Sequence, residues 1–385
     1  MSIRKRTWTT RAGEAREAWV VDYTDQDGGR HLKTFDKKKE ADAWAAATKL
    51  EVIRRVHTPI SASITVAKAA EEWLESRRLK GREPATLAQY RTHVEYHIAP
   101  MLGTIKLAHL TVATIADFQA RLLREGRSWA LTRKIMTSLS GILGRARING
   151  RIAHNPAREF LAEERQGDKK SDDRQRPKLR VGEDIPTVDE VRSILEHAGK
   201  WRPLLMTAAL TGMRASELRG LTWDNVDFGE SVIHVVQRAD CYRTIGDPKS
   251  RAGNRTIPLT PKLALGLKEW KLACPKGEAN LCFPNRDGGV EWHRALADGL
   301  TDAQVAAKIV VDGKAKYSGL HCLRHFFASW CINRKVDGGL ELPAKVVSER
   351  LGHSSIAITL NTYGHLFPRG DDSAALAEGE AALLS

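Results

Sequence analysis

The stretch SGLHCLRHFFASW, Ser318 to Trp330, sets His321, Arg324 and His325 among residues that otherwise read as a buried, aromatic-rich helix. Positions three and four apart share one face of a helix, so the three side chains project together. Two imidazoles and a guanidinium so placed can bind an anion, and the HxxxH pair can in principle ligate a metal. The metal reading is the weaker one. HCLRH lacks the glutamate of HExxH, and no further ligand stands at a recognisable spacing. Most lone histidines beside aromatics are satisfied core or surface residues, so this stretch alone leaves its purpose open.

Other polar groups stand at comparable places. In TGMRASELRGL, Arg214 follows a glycine turn at a helix start, and Glu217 one turn on is able to orient it. Lys249, in GDPKSRAGNRTIPL, lies in a loop between two strands, where a flexible amine can reach into a cleft. The segment SERLGHSSIAITLNTYGHLFP supplies His353 after a glycine and Tyr363 ten residues later in a short helix. Singly, each has a plain reading: a surface ion pair, a solvated lysine, a packing tyrosine.

Together and in this order they resemble the tyrosine recombinase (phage integrase) family, whose signature is Arg, Lys, His-x-x-Arg, His, Tyr. The match runs through Arg214 in TGMR, Lys249 in PKS before NRTIPL, His321 and Arg324 in HCLRH, His353 in LGHSS and Tyr363 in NTYGH. Phe326 and Phe327 depart from it, since a smaller or polar residue is frequent there; the departure bears on packing. Resemblance is strong from Thr187 to Pro368. It is looser over the preceding helical segment, which is similar to the family's core-type DNA-binding domain, and the N-terminal module is similar to its arm-type domain.

The resemblance implies cleavage and rejoining of DNA through a 3′-phosphotyrosine, with no metal and no cofactor. Tyr363 is then the nucleophile, a weak one at its ordinary pKa of about 10 unless cations stabilise the phenolate. Arg214 and Arg324 would grip the phosphate through planar forks that stay charged. His321 and His353 would add hydrogen bonds, with proton acceptance from Tyr363 as a further role. Lys249 would be the general acid for the 5′ oxygen, and Glu217 an orienting residue. Implied partners are double-stranded DNA attachment sites and a homotetramer exchanging strands through a Holliday junction, with room for a directionality factor and a DNA-bending protein. Two rival readings are a type IB topoisomerase-like enzyme and a non-catalytic DNA-binding accessory protein.

The elements that must position these residues fall into a multidomain chain. A β-hairpin pattern (AWVVDYTDQDGGRHLKTF) and a helix over about Lys37 to Val56 suggest a small α+β module over residues 1–58. Residues 62–160 read as an all-α core-binding bundle, in which Arg82, Arg91, Arg127, Arg133, Lys134, Arg145 and Arg147 are candidate DNA contacts. Apolar periodicity is lost over 161–186, the mark of a charged linker. The spacing of Thr187 and Glu190 predicts a capping box that opens a mixed α+β, mainly α, catalytic domain over 187–385. Its C-terminal tail carries an apolar stripe of Ala374, Leu376, Ala381 and Leu384, suited to a neighbouring protomer or to its own domain.

Composition agrees with a polyanionic partner. Of 385 residues, 61 are Lys or Arg against 47 Asp or Glu, a formal charge of +14 that favours nucleic acid. No apolar run approaches the roughly 18 residues of a membrane span, and MSIRKRTWTTRAGEAREAW lacks the apolar stretch of a signal peptide, so no membrane and a cytoplasmic location are expected. Five scattered cysteines without a CxxC pair indicate neither a disulfide framework nor a zinc cluster.

Overall fold

The computed structural model describes residues 1–10, 14–26, 28–53, 59, 62–168, 178–248, 250–368 and 372–385, in two compact units, Met1–Arg176 and Pro177–Ser385. The first opens on an antiparallel sheet of β1 (Ser2–Thr9), β2 (Ala15–Thr24) and β3 (Arg30–Phe35), in that order. Alternation along β2 turns Val21 and Tyr23 to the face that α1 (Lys38–Ile53) covers with Ala41 and Ala45. Residues 54–56, expected to extend α1, lie outside the described residues.

The longer helices that follow are α2 (Val66–Leu79), α3 (Pro84–His93), α4 (Val112–Arg124), α5 (Trp129–Ile148) and α6 (Pro156–Asp168), with a π-helical turn and one short helical turn, Val94–Ile98 and Ala99–Leu102, after α3. Thr65, Thr111 and Ser128 cap α2, α4 and α5 by accepting amides of the first turn, which satisfies donors that a helix start leaves without partners. In α5, Ile135, Leu139, Ile142 and Leu143 recur at the helical period and are wholly buried against Trp73, Ile115 and Phe118. The charged run over 161–186 begins differently from the sequence expectation. Helix α6 continues to Asp168 because Leu161 packs on the bundle core and Gln119 on α4 donates to Glu164 at 3.1 Å. Residues 169–177 lie outside the described residues.

The second unit starts with α7 (Val188–Glu196), whose Thr187 and Glu190 close the expected capping box. Next come α8 (Arg202–Thr211), α9 (Ala215–Gly220) and five short strands: β4 (Val226–Asp227), β5 (Val232–Val235), β6 (Arg238–Ala239), β7 (Ile245–Gly246) and β8 (Arg255–Pro258). β4, β5 and β8 form one antiparallel sheet, while β6 and β7 pair separately within the connection from β5 to β8. The remaining elements are α10 (Pro261–Ala273), α11 (His293–Ala306), the hairpin of β9 (Val310–Val311) and β10 (Lys314–Ala315), α12 (His321–Ile332), α13 (Ala344–Leu351), α14 (Ile356–Tyr363) and α15 (Asp372–Leu384).

Helix α12 runs through the middle of this unit. Its Leu323 and Phe326 join the main core with Leu205, Ile233 and Leu300, while Phe327, Cys331 and Ile332 join a second cluster with Val347, Leu351 and Tyr363. Apolar burial on one side therefore fixes which way His321 and Arg324 look. Of the stripe in the tail, Leu376 and Leu384 on α15 are 71% and 76% exposed, so they do not fold back on their own unit; the side chain of Ala374 is outside the described residues.

Gly212 ends α8 in the left-handed region at φ +62°, and a β-carbon there would overlap the ring of Phe327. Gly212→Ala is therefore expected to cost at least about 2 kcal/mol, from backbone strain and overpacking together. The measurement is urea unfolding of the full chain, with a lower midpoint at an unchanged slope.

Candidate active site

The site is organised around the C-terminal end of α13. The last carbonyls of a helix have no amide partners within it, and the end carries partial negative charge. Here three successive carbonyls each accept from a different arginine: Arg350 O from Arg255 Nε at 2.8 Å, Leu351 O from Arg324 Nη2 at 2.6 Å, and Gly352 O from Arg214 Nη2 at 3.1 Å. Gly352 can close the helix because it takes φ +64°, and an added β-carbon would stand 2.9 Å from Arg255 Nη1. Arg324 is also tied from the other side, donating from Nη1 to Gly212 O at 2.7 Å.

Three guanidiniums this close repel one another, and Glu217 on α9 offsets them. Its carboxylate accepts from Arg214 Nη1 at 2.7 Å, from the Arg214 amide at 2.9 Å and from Arg255 Nη2 at 2.8 Å. Burial by itself would raise the Glu217 pKa; the hydrogen bond and charge of Arg255, with Arg214, more than reverse this and hold it below the usual carboxylate range. Arg324 is 2% exposed, and burial, aided by Arg214, pushes its pKa down to about 9, still charged at neutral pH.

Arg214, His321, Arg324, His353 and Tyr363 line one cleft of about 280 Å³, together with Ser250 and His325. Five of the six residues in the recombinase signature are thus brought together from four helices and their ends. Lys249 lies outside the described residues; its neighbour Ser250 is on the cleft wall. His353 is fixed by a 2.8 Å hydrogen bond between its Nδ1 and Thr359 Oγ1, and burial with the nearby arginines pushes its pKa down to about 4. The cleft walls and the charges of Arg324 and Arg214 lower that of His321 as well.

Tyr363 closes α14 and is 2% exposed. Burial raises its phenol to about 12, partly countered by the charge of Arg324. Its hydroxyl is not paired with His321 or His353, the two histidines expected to serve it. It lies 2.7 Å from His325 Nδ1 instead, with the rings edge to face at 63°. His325 and Arg255 are the two residues of the site that sequence reasoning left out of the set. Arg255 carried a signal: on β8 it alternates in step with Ile257, which is buried, and a guanidinium turned to that side requires acceptors for its donors. The partner of His325 stands 38 residues further on and left no mark in sequence spacing. As for metal chemistry, no cluster of three or more His, Cys, Asp or Glu side chains able to hold an ion occurs among the described residues.

The candidate DNA contacts lie on the first unit. Arg82, Arg91, Arg127, Arg133, Lys134 and Arg147 are exposed, whereas Arg145 is half-buried, sharing a hollow with Arg147, Arg77 and Arg158. No helix among the described residues is long and apolar enough to cross a membrane.

Two fixed guanidiniums and three imidazoles around one small cleft suit a phosphate group, and the phenol beside them suits attack on it. The cleft belongs to the second of the two units, and the helical bundle to the first. The model of the "Phage integrase family" matches residues 187–369, and that of the "Phage integrase, N-terminal SAM-like domain" matches residues 65–123, together well over half of the chain. A tyrosine recombinase XerC-like protein of Caldanaerobacter subterraneus subsp. tengcongensis is 26% identical over 373 residues, 90% of each chain. Among solved structures, the integrase of transposon Tn1549 in complex with a circular intermediate DNA superimposes at a TM-score of 0.65 with 20% identity, over 83% of this chain and 100% of that one. A lambda integrase tetramer bound to a Holliday junction gives 0.58 with 17% identity, over 95% and 96%. The chain belongs to the phage integrase, or tyrosine recombinase, family of DNA strand-breaking and rejoining enzymes.

Glu217→Gln keeps the shape of the carboxylate and removes its charge, leaving the buried Arg255 without an anion. Loss of one partner of a buried pair predicts a fall in stability of about 3 kcal/mol. It should appear as a lower melting temperature than that of a variant at an exposed pair such as Arg192 and Asp189, where almost no change is expected.

Proposed function

We propose that this chain is a site-specific recombinase that cuts and rejoins DNA through a 3′-phosphotyrosine at Tyr363, and so integrates or excises a mobile element. The observation that carries the reading is the convergence of Arg214, His321, Arg324, His353 and Tyr363 on one cleft. Arg214 and Arg324 bind the non-bridging oxygens of the scissile phosphate, and their ties to backbone carbonyls hold them ready before substrate arrives. His321 and His353 add hydrogen bonds to the same phosphate. Lys249, assigned from the sequence signature, protonates the departing 5′ oxygen. The covalent intermediate keeps the energy of the broken bond, so a different 5′ hydroxyl can reseal the strand without ATP.

The same reading places the protein in the cytoplasm, on paired attachment sites, as a tetramer that exchanges strands in pairs. The lambda integrase tetramer on a Holliday junction, alike over nearly the whole chain, supports that assembly by analogy of fold. The basic surface of the helical bundle supplies contacts to the DNA backbone. Domain limits of 1–58 for an arm-binding module and 62–160 for a core-binding bundle belong to this proposal.

Covalent trapping tests it. The protein is mixed with nicked duplexes tiled from the DNA flanking its gene, denatured in detergent and examined for a shifted band. An adduct that vanishes in Tyr363→Phe, while DNA binding persists, is the expected outcome; tight binding without any adduct favours the accessory-protein reading, and relaxation of any supercoiled plasmid by a monomer favours a topoisomerase. Arg324→Lys keeps the charge and loses the fork, so adduct formation should slow by roughly 100-fold or more. Affinity for DNA is expected to fall steeply with salt, the logarithmic slope reaching about −0.9 per phosphate contact.

A further inference from the structure

We propose that His325 accepts the phenolic proton of Tyr363 as the tyrosine attacks the scissile phosphate, and returns it when the strand is resealed. The inference rests on the reading of Tyr363 as nucleophile and adds a residue to it.

Geometry comes first. A general base must stand within hydrogen-bond reach of the proton it takes, and His325 Nδ1 is 2.7 Å from Tyr363 Oη. His353 is hydrogen-bonded to Thr359 Oγ1 rather than to the phenol. His321 packs edge-on against the His325 ring, with centroids 4.7 Å apart, one turn earlier on α12. The hydrogen bond to the Tyr363 hydroxyl is made by His325. The neutral state a base needs is also the one the surroundings impose: burial, with His321 and Arg324, pushes the His325 pKa down to about 4, with Asp184 acting weakly in the other direction. With Nε2 carrying its hydrogen, Nδ1 offers a lone pair and the Tyr363 hydroxyl donates to it.

In the empty site burial disfavours both the imidazolium and the phenolate, so the proton rests on Tyr363. A phosphodiester changes both sides of the exchange. Its negative charge sits beside the imidazole and favours the imidazolium, while it offsets the charge of Arg324, the arginine that disfavours a protonated ring. The transfer accompanies bond formation: a lone pair of Tyr363 Oη joins phosphorus, the O–H proton passes to Nδ1, and the P–O5′ bond breaks with its electron pair on the leaving oxygen. That oxygen takes a proton from the general acid assigned to Lys249. One proton passes from Tyr363 to His325 and one from the general acid to the 5′ oxygen, so charge balances, and resealing runs the same path backwards.

The test uses the full chain and whichever nicked duplex traps the wild-type protein. His325→Asn sets an amide near the position of Nδ1, able to hydrogen-bond the phenol but not to take its proton. Single-turnover adduct formation should slow by about 100- to 10,000-fold, with DNA affinity and melting temperature close to wild type. Fluorotyrosine at position 363, more acidic than tyrosine, should recover much of that loss in His325→Asn and change the wild-type rate far less. As a second route, His325→Ala should regain activity when imidazole is added to the buffer. A near-normal rate in His325→Asn, or a slow rate indifferent both to phenol acidity and to added imidazole, overturns the proton-transfer role while Tyr363 stands as nucleophile. An adduct that survives Tyr363→Phe, or no adduct on any duplex, overturns the parent reading and this inference with it.

Discussion

Everything in the site depends on the carbonyl end of one eight-residue helix. Residues 350, 351 and 352 offer three acceptors that no helix amide can satisfy, and three arginines from three separate segments satisfy them. Without that anchor, like charges so close together would drive Arg214, Arg255 and Arg324 towards solvent, and each would lose rotamer freedom only on binding substrate. The buried Glu217 carboxylate completes the arrangement, since neutral carbonyls alone do not balance three positive charges. Hydrogen bonds from backbone orient the forks, and a single carboxylate stabilises their charge.

That division of labour explains why the cleft is cationic and yet ordered. A phosphate arriving there meets donors already fixed by the fold, so little reorganisation remains to be done. It also explains why both glycines bracketing the site are left-handed. Gly212 and Gly352 turn the chain sharply at the ends of α8 and α13, and the carbonyls freed by these turns are among those that hold Arg324 and Arg214. Backbone permissiveness at two positions is thus converted into side-chain position at two others.

Much of this was legible in the sequence, for identifiable reasons. Periodic burial on α5 and the Thr187 and Glu190 cap are local properties, set by residues within one or two turns of one another. The pairing of Arg214 with Glu217 is local too, and so was readable from spacing alone. Other features are not local. The partnership of Arg255 with Glu217 joins residues 38 positions apart, and that of Arg324 with Gly212 joins residues 112 apart. The same holds for His325, which reads in sequence as half of an HxxxH pair and in space as the companion of Tyr363. Helix α6 outran its apolar pattern because a few side-chain contacts sufficed to carry a charged segment as far as Asp168.

The anchor at α13 has a consequence for how this chain can vary. Carbonyl groups belong to every residue type, so the identity of Arg350 and of many neighbours on α13 is open to change as far as the anchor is concerned. The length of the helix is not. One residue added or removed would turn the final carbonyls by about 100° around the axis and carry all three arginines out of register at once. Divergence here is therefore open in composition only at the exposed positions and closed in count: Val347 and Leu351 are held by the core they fill, and a change of length by the anchor.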